Sequence, residues 1–437
     1  MPTGEVLRLT DEEQAMLAGE EGPGVQRAME MVVALARIYG AHDLVPIDSA
    51  QVAGVSYVNI SEAGLQFLRQ WAEEGARVRV PAMLNPAGMD LEAWPDMGTP
   101  TEFAEKQLEI IAAYHRLGVQ LACTCAPYLL DTEIALGDHL AWSESSAVVY
   151  ANSVVGARTN REGGPGALAA AIVGRTGNYG LHLDQGRLPT EGFVVRAPLR
   201  DASDWGALGA LIGRESAGVP WIVLEQHTTV GAGHRACPGP GRTGSSAPTP
   251  TGLEAGHRAC QWDNLRSLGA AAAATGSVAL FHLAEITPEA RLGMVQPPEG
   301  PYHIVPSLEG VRASLDQDGD TIDLVAIGCP HASLQQLAEV ARYLEGKRLS
   351  VPLWLMASRS VCQAAKDCNL AATLEASGAR LVADTCATVA PLREMGIRAV
   401  ATDSAKAAIY LPMHQGVTVR FGTLQRCLDA ALRGSWQ

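Results

Sequence analysis

Cysteines stand directly after strand-like stretches at three places in the chain, a pattern that could support metal chemistry. Cys123 and Cys125 follow an apolar stretch in the first third, and Cys329 and Cys386 each follow a predicted strand in the last third. Ligands of open parallel sheets bind beyond the carboxyl ends of the strands, so we expect these thiols to lie near one another. Three thiolates can hold three irons of a cubane, and the open fourth iron would polarise a substrate hydroxyl as a Lewis acid.

Two other interpretations of the same thiols stay open. Three cysteines and a water molecule can bind zinc. The cysteines can also be unrelated core residues, because a free cysteine packs as a small apolar side chain. Their placement at separate strand ends favours a site over unrelated burial.

Alternating strands and helices are the elements that would position these groups. Strand-then-helix units follow one another through the last third, and shorter strands alternate with helices in residues 42–95. Such alternation predicts the α/β class, with parallel sheets covered by helices. We divide the chain into an N-terminal α/β region at 1–228, an insertion at 229–260 and a C-terminal α/β domain at 261–437. The predicted strands of the C-terminal domain are 323–327, 351–356, 379–383, 397–401 and 416–421.

Residues 139–187 stand out because they are rich in small and polar residues and show little periodicity. Apolar residues flank the polar ones, and polar groups packed among apolar ones cost free energy unless they find partners. A buried site for a polar ligand is therefore favoured over an exposed loop. The polar side chains concerned are Ser145, Ser146, Asn152, Ser153, Thr159 and Asn160.

The predicted insertion contains a repeat. Residues 232–237 and 255–260 both read Ala-Gly-His-Arg-Ala-Cys, and the stretch around them is rich in Gly, Pro, Ser and Thr. Two histidines and two cysteines could bind zinc, but the repeated His-x-x-Cys spacing matches no zinc module that we know. A mobile insertion is the favoured interpretation.

The composition excludes several classes of protein. Of the 437 residues, 47% are hydrophobic and 18% are charged, which is too apolar for a disordered chain. The net charge of -14 argues against nucleic acid or an anionic membrane as the main partner. No signal peptide or membrane-spanning stretch is evident, so we expect a cytoplasmic location and reduced cysteines.

A set of short motifs carries a more specific signal, and its members are CTCAPY at 123–128, AWSESSA at 141–147, NS at 152–153, GARTN at 156–160, YGLHL at 179–183, GSVALFH at 276–282, TPEA at 287–290, GCPHAS at 328–333 and SAK at 404–406. Taken together and in this order, the motifs resemble the catalytic domain of the aconitase X family. The resemblance runs from about Leu9 to Ala431, and it is the set rather than any single motif that is specific.

The resemblance implies an aconitase-like arrangement of doubly wound α/β domains around an iron–sulfur cluster, whose type (4Fe-4S, 3Fe-4S or 2Fe-2S) is left open. It implies cluster ligation by Cys329, by Cys386 and by either Cys123 or Cys125, and we favour Cys125 because it adjoins the Pro-Tyr motif. It also implies a small swivelling domain that completes the site with a catalytic serine acting as the base. The chain ends at Gln437, soon after the last strand–helix unit, so we expect that domain on a separate partner subunit of a heterodimer.

The family implies a hydro-lyase that removes water from a small hydroxy acid. One known activity dehydrates cis-3-hydroxy-L-proline to pyrroline-2-carboxylate, and the other dehydrates mevalonate 5-phosphate. The acidic composition, rich in Ala, Gly and Arg, favours the hydroxyproline reaction. Gln51 stands where a histidine is common in the family, which removes a possible acid or base. The alternatives of another class are an inactive, partner-binding homologue and a zinc hydrolase.

Roles for individual side chains follow from their chemistry. Lys406 opens a helix at its positive dipole end, an unusual place for a cation, which favours a ligand role. Arg158 could hold a substrate carboxylate, and a structural ion pair is the alternative. His331 adjoins a cluster cysteine and is either a contact of the substrate or cluster or a core histidine. The catalytic candidates are Lys406, Arg158, His331 and Ser404, and the substrate-binding candidates are Asn85, Ser145, Ser146, Asn152, Ser153, Thr159, Asn160, Ser333 and Ser358.

Overall fold

The computed structural model describes residues 7–130, 132–225 and 252–437, with the side chains of 252–261 left aside. Within these ranges the chain folds into three α/β units, each built on a parallel sheet. No helix in this part of the chain is long and apolar enough to cross a membrane. Most of the predicted insertion, residues 229–251, lies outside the described residues, and 252–260 are the start of a helix.

The first unit combines helices with small sheets, and its elements in chain order are α1 (Asp11–Ala18), α2 (Pro23–Ile38), β1 (Leu44–Pro46), β2 (Ser49–Val52), α3 (Tyr57–Glu73), β3 (Ala82–Leu84), α4 (Thr101–Arg116), β4 (Leu140–Trp142), α5 (Ser145–Tyr150), α6 (Gly164–Val173) and β5 (Arg175–Gly177). The parallel sheet has the order β3-β2-β4, and β1 pairs with β5 antiparallel. One apolar core joins this sheet to α2, α3, α4 and α6.

The second unit is a parallel sheet with two long helices packed against each other, and its elements are β6 (Glu191–Val195), α7 (Ala202–Glu215), β7 (Pro220–Leu224), α8 (Gly252–Gly276), β8 (His282–Leu283), α9 (Pro288–Arg291) and β9 (His303–Val305). The strand order is β8-β7-β6-β9. Helices α7 and α8 approach closely because Gly209 and Gly213 lie against the α8 backbone, where a Cβ would clash.

The third unit has the clearest architecture, and its elements are α10 (Glu309–Leu315), β10 (Leu324–Ile327), α11 (Leu334–Leu344), β11 (Leu353–Met356), α12 (Arg359–Asp367), α13 (Leu370–Ser377), β12 (Ala379–Val382), β13 (Ala399–Thr402), α14 (Ala405–Gln415), β14 (Thr418–Phe421) and α15 (Leu424–Arg433). All strands are parallel in the order β12-β11-β10-β13-β14. The order reverses between β10 and β13, and apolar cores cover both faces of the sheet. The sequence prediction of parallel strands in this unit is confirmed, with boundaries within two residues.

The stretch at 139–187 is more regular than its sequence suggests. It contains α5, a π-helical turn at Ala151–Val155 and α6. Helix α6 is buried on every side from Gly166 to Val173. A helix that is surrounded by protein needs no polar face, so it lacks the period of 3.6 residues that identifies a half-exposed helix.

Candidate active site at the meeting of the first and third units

Three cysteine thiols converge where the first and third units meet. Cys125 lies on the loop between α4 and β4, Cys329 follows β10, and Cys386 follows β12. Burial raises the pKa of the Cys125 thiol, and the nearby Cys386 and Cys329 thiols raise it further. Burial also raises the pKa of Cys329 to about 12, and Cys386 adds to the rise. The three thiols share one site, because the backbone N–H of His331, two residues after Cys329, lies 3.2 Å from Cys125 Sγ and His331 Nε2 lies 3.0 Å from the carbonyl oxygen of Thr385, the neighbour of Cys386.

Cys123 lies in a different environment, although it is only two residues from Cys125. Its side chain packs in the apolar core of the first unit. Burial raises the pKa of its thiol, and the charges that act on it belong to Asp384 and Arg359. The geometry therefore supports Cys125 as the ligand of the pair, and the assignment stays a prediction.

A buried ion pair lies beside the thiols. The Lys406 ammonium contacts a carboxylate oxygen of Glu144 and lies 3.2 Å from Ser146 Oγ, and both charged side chains are 7% exposed or less. Ser146 Oγ and the backbone N–H of Ala147 donate to the other carboxylate oxygen at 2.6 and 2.7 Å. Burial raises the pKa of Glu144, but Lys406 and these hydrogen bonds outweigh it, and the net pKa is lowered. Glu144 therefore stays ionised.

Lys406 stays charged because the Glu144 carboxylate contacts its ammonium. Burial lowers its pKa, but Glu144 and the thiols of Cys329 and Cys125 raise it, and the net pKa is raised. Lys406 lies in the first turn of α14, whose N-cap is Ser404, so the predicted position at the start of a helix is confirmed. Cys329 and Lys406 follow β10 and β13, the strands between which the sheet order reverses. Open α/β sheets bind their ligands at such a point.

Glu144 is a site residue to which the sequence analysis assigned no role. It follows β4 by two residues and caps α5, with its side chain accepting from Ala147 N–H. The strand-end argument that selected the cysteines would have selected Glu144 as well, had β4 been recognised. A three-residue strand, Leu140–Trp142, is too short to show a pattern of its own.

His331 is fully buried and both of its ring nitrogens have partners. Nδ1 lies 3.0 Å from Thr124 Oγ1, and Nε2 lies 3.0 Å from the carbonyl oxygen of Thr385. The backbone N–H of His331 points at Cys125 Sγ, 3.2 Å away. Burial lowers the pKa of the imidazole to about 4, so the ring is neutral near pH 7. The structure thus brings His331 to the thiols as a hydrogen-bonded core residue.

A second residue that the sequence analysis missed is Arg266 on α8. Its guanidinium donates to the carbonyl oxygen of His331 and, at 3.4 Å, to that of Pro330. Asp263, one turn earlier on the helix, is its ion-pair partner and also accepts from Ser333 Oγ at 2.8 Å. A buried arginine gives no signal in a single sequence, because its burial depends on carbonyl groups 65 residues away along the chain.

Several predicted hydroxyl groups cap helices. Ser333, Ser358 and Ser404 each occupy the N-cap of the helix that follows a strand of the third unit, with the side chain accepting a backbone N–H. Ser404 also donates to the Cys329 sulfur, which lowers the pKa of that thiol against the effect of burial. Ser145 donates to Glu144 at 3.2 Å. Ser145 and Ser404 are therefore at the site, and their substrate roles stay predictions.

The polar side chains at 152–160 are occupied within the protein. Asn152 donates to the carbonyl oxygens of Thr159 and Ala279 at 2.9 Å, and its Oδ1 accepts from Thr159 N–H at 3.0 Å. Ser153 Oγ accepts from the backbone of the second unit, and Asn160 bonds to the backbone around Tyr179. The bonds of Asn152 and Ser153 tie the first unit to the second, and the predicted substrate contacts of all these residues remain predictions.

The contacts of Arg158 are with residues away from the cysteines. Its guanidinium donates to the carbonyl oxygen of His182 at 2.8 Å and forms an ion pair with Asp184. The Asp184 side chain is 87% exposed, so this pair lies at the surface. The alternative that the sequence left open for Arg158, a structural ion pair, describes what the structure contains.

Within the described part of the chain, several buried polar atoms lack a hydrogen-bond partner, and two of them belong to Tyr128 and Thr385 on the cysteine loops. Asn85 Oδ1, Tyr128 OH, Thr385 Oγ1 and Gln51 Oε1 have no hydrogen-bond partner among the residues that the structure describes. Such atoms cost free energy unless something satisfies them, and Gln51 Nε2 already bonds to the carbonyl oxygen of Thr124 beside the Cys125 loop. The polar atoms and the three thiols together form a donor set that fits a bound inorganic group and a polar substrate. Within the described ranges, no three His, Cys, Asp or Glu side chains group closely enough to hold a single metal ion.

Family models match most of the chain. Residues 6–185 match the model described as Aconitase X first domain, residues 241–303 match Aconitase X second domain, and residues 322–433 match Aconitase X third domain. The matches follow the order of the three structural units.

Curated relatives fall into two groups. The phosphomevalonate dehydratase large subunits of Methanosarcina mazei and Methanocaldococcus jannaschii are 42% and 40% identical, over 98% and 97% of this chain and 98% and 99% of the relatives. The cis-3-hydroxy-L-proline dehydratase of Pseudomonas aeruginosa is 35% identical over 98% of this chain, which spans 70% of that relative. The crystal structure of Thermococcus kodakaraensis aconitase X in its holo-form superposes with a TM-score of 0.81 at 39% identity, covering 97% of this chain and all of that one.

Proposed function

This chain belongs to the aconitase X family of dehydratases, and we propose that it is the large subunit of a phosphomevalonate dehydratase. The substrate of this proposal is mevalonate 5-phosphate, the second of the two expected from the sequence. The preference for hydroxyproline rested on composition, and the comparisons favour the other reaction, with 42% identity against 35%. The dehydratase proposal holds for either substrate, because each reaction eliminates water from a hydroxy acid.

The observation that carries the dehydratase proposal is the buried pair of Glu144 and Lys406 beside three thiols. Cys125, Cys329 and Cys386 would hold an iron–sulfur cluster, which supplies Lewis-acid assistance to the departing hydroxyl when it is bound. The type of the cluster is left to spectroscopy.

The side chains of this chain bind and orient the substrate. Lys406 is an ammonium ion whose raised pKa prevents it from acting as a base, so it would hold an anionic group such as a carboxylate. Glu144 fixes the position of the ammonium through a direct contact. Ser145 and Asn85 offer further polar contacts, and the Oδ1 atom of Asn85 has no partner in the described structure. Arg158 has no part in this proposal because it is paired with Asp184.

A partner subunit completes the proposed site. The relatives from Methanosarcina mazei and Methanocaldococcus jannaschii are named large subunits, and we propose that this chain likewise pairs with a small subunit. The small subunit would supply the serine that removes the proton. In this proposal Lys406 and Glu144 bind and orient the substrate, and the serine of the small subunit accepts its proton.

Side-by-side turnover tests the substrate. The chain, co-purified with the small subunit encoded with it, is given mevalonate 5-phosphate and cis-3-hydroxy-L-proline in separate assays at equal concentration. We expect dehydration of the phosphorylated substrate with a kcat/KM at least about 100-fold higher, because a buried polar site discriminates strongly against a compound that leaves its groups unpaired. Preferential turnover of hydroxyproline would replace the substrate and keep the family reaction.

Metal analysis separates the proposal from its rivals. Iron and acid-labile sulfide in the anaerobically purified complex, with an electron paramagnetic resonance spectrum, would support the cluster. Stoichiometric zinc without sulfide would contradict it and favour a zinc hydrolase. A complex that loads a cluster but turns over neither substrate would favour the inactive, partner-binding homologue.

A further inference from the structure

The three cysteine loops meet at one side chain. The first loop carries Thr124 beside Cys125, the second carries His331 two residues after Cys329, and the third carries Thr385 beside Cys386. The His331 imidazole bonds to Thr124 Oγ1 on one side and to the Thr385 carbonyl on the other, each at 3.0 Å. One ring thus bridges the first and third loops while it belongs to the second.

The directions of these bonds are determined by their chemistry. The Thr385 carbonyl oxygen only accepts, so Nε2 of His331 carries the hydrogen. Thr124 Oγ1 already accepts from Ala126 N–H at 3.1 Å, so its own hydrogen is free to be donated to Nδ1. The chain of donors therefore runs from Ala126 through Thr124 and His331 to Thr385. Both ring nitrogens of His331 and the Thr124 hydroxyl are used in this chain, and a buried polar network whose members are paired rigidifies its surroundings.

The main chain of the second loop is held at the same place. The N–H of His331 donates to Cys125 Sγ at 3.2 Å, and its carbonyl oxygen accepts from Arg266 of the second unit. His331, Thr124 and Thr385 are each fully buried. The loops of all three predicted ligands, which come from two units of the fold, are therefore connected through a single residue.

We propose that His331 is a positioning residue that, with Thr124, holds the three cysteine loops at the spacing that retains the iron–sulfur cluster. The inference rests on the proposed function, because it concerns the group that the three thiols would hold. Residues that orient metal ligands from the second layer commonly contribute 10- to 100-fold to metal affinity, so the loss of this network should be visible as faster loss of iron.

A pair of threonine variants tests the network with little change in shape. Thr124→Val removes the hydroxyl and keeps the volume, whereas Thr124→Ser keeps the hydroxyl. Both are purified as the full chain with its small subunit, loaded with iron and sulfide, and challenged with an iron chelator while the visible absorbance is followed. We expect iron loss about 10-fold faster in Thr124→Val and within about 3-fold of the parent in Thr124→Ser. The paramagnetic spectrum of Thr124→Val should also change, because the Cys125 loop shifts.

His331→Ala removes both arms and should lose iron about 100-fold faster. His282→Ala is its control, because His282 is also fully buried and bonds through Nε2 to a backbone carbonyl at 2.8 Å, but in the second unit. We expect His282→Ala to melt at a lower temperature and to lose iron at the parental rate. The proposal is overturned if Thr124→Val and His331→Ala retain iron as the parent does, or if His282→Ala loses it equally fast.

The outcome for the parent protein keeps this inference apart from the proposed function. A parent that binds zinc without sulfide contradicts the cluster, and the same variants are then compared by the rate of zinc release, with the same order expected. A parent that loads a cluster, together with variants that do not differ from it, contradicts the positioning role and leaves the dehydratase proposal intact.

Discussion

The cysteine site and the polar side chains at 151–160 were both predicted to bind a ligand, the first from thiols at strand ends and the second from polar residues among apolar ones, and the structure gives them different surroundings. Both contain buried polar groups in apolar surroundings. At the cysteine site, Tyr128 OH and Thr385 Oγ1 have no partner among the described residues, and a buried ammonium contacts a carboxylate. In the segment, Asn152 bonds to backbone groups on three sides and also accepts from Arg187 at 3.2 Å.

The difference shows what burial of polar groups can mean. A buried polar side chain either forms a hydrogen bond within the protein or is left unpaired until a ligand binds. The sequence pattern around the residue does not distinguish the two cases. Arg187 illustrates the first case, since it is 1% exposed and pairs with Glu289 through both carboxylate oxygens. Asn152 and Arg187 use their polar groups to join two units of the fold. The thiols and Lys406, in contrast, are groups that can bind a metal cluster and an anionic substrate.

Replacement of a predicted ligand cysteine should have the largest effect. Cys329→Ala removes one of three thiols from the site, so we expect iron content to fall below half and turnover to fall to background, because a cluster without a full ligand set is not retained. Cys427→Ala is the matched control, since Cys427 is fully buried in the core of the third unit. Iron analysis and a dehydration assay check both. Equal activity in the two variants would contradict the prediction that Cys329 belongs to the functional site and Cys427 only to the core.

Glu144→Gln should be the most destabilising change at the cysteine site. It leaves the Lys406 ammonium buried without a counter-charge, which costs about 3 to 5 kcal/mol. Glu144→Gln combined with Lys406→Met should be less destabilised than Glu144→Gln alone, because the unpaired charge is gone. Urea unfolding followed by circular dichroism measures the free energies. If Glu144→Gln alone unfolds at the same urea concentration as the parent, the Glu144–Lys406 pair is not buried in solution.

Asn152→Ala should separate the two regions. The change removes hydrogen bonds to backbone groups of two units, and we expect a loss of about 2 to 4 kcal/mol in the free energy of unfolding. Iron content and KM of the folded protein should stay at the parental values. Asn178→Ala, which removes only an exposed bond to Asp43, is the control and should cost below about 0.5 kcal/mol. A rise of KM in Asn152→Ala would return the segment to the substrate site.

Acid should destabilise the protein through His182, whose carbonyl oxygen accepts a hydrogen bond from Arg158. Burial lowers the pKa of His182 to about 3 from its ordinary 6.5. The unfolded chain therefore takes up a proton below about pH 6.5 that the folded chain does not, and stability falls by about 1.4 kcal/mol per pH unit down to about pH 3. Between pH 7 and pH 5 the parent should lose about 2 kcal/mol more than His182→Gln. Identical losses would mean that the imidazole is protonated in the folded state.

Ser358→Ala should have the smallest effect. Ser358 accepts from Val361 N–H at the N-terminus of α12, and loss of such a cap costs about 1 kcal/mol. Turnover and KM should not change if capping is its whole role. A KM that rises several-fold would restore Ser358 to the set of substrate-binding residues.

The sequence allowed the strands of the third unit, and the positions of Cys329 and Cys386 after two of them, to be predicted, because both depend on local pattern. The predicted strand at 119–122, before Cys123 and Cys125, is wrong, because Gln120 forms only an isolated bridge with Met83. Apolar runs of four to six residues identify buried parallel strands, and the residues after them occupy one edge of the sheet. The start of α14 at Ala405, one residue before Lys406, followed from the same argument.

The rest depends on contacts between distant residues. Glu144 meets Lys406 across 262 positions, and Arg266 meets His331 across 65. Asn152 was predicted for a substrate, and its partners are backbone groups whose positions are set by tertiary packing. Single-sequence reasoning identifies that a polar residue is buried, but the identity of its partner emerges only when the units are folded against each other.

The connection of the cysteine loops has a consequence for the order of events during synthesis. About 260 residues separate Cys125 from Cys386, and a ribosome that adds 5 to 20 residues per second needs roughly 10 to 50 s to cover that distance. Until the third unit is synthesised, Thr124 lacks the His331 imidazole and Cys125 lacks the thiols of Cys329 and Cys386. Under the proposed function, loading of the cluster would therefore be a late step of maturation, and the Cys125 thiol would have to stay reduced until the third unit packs against the first.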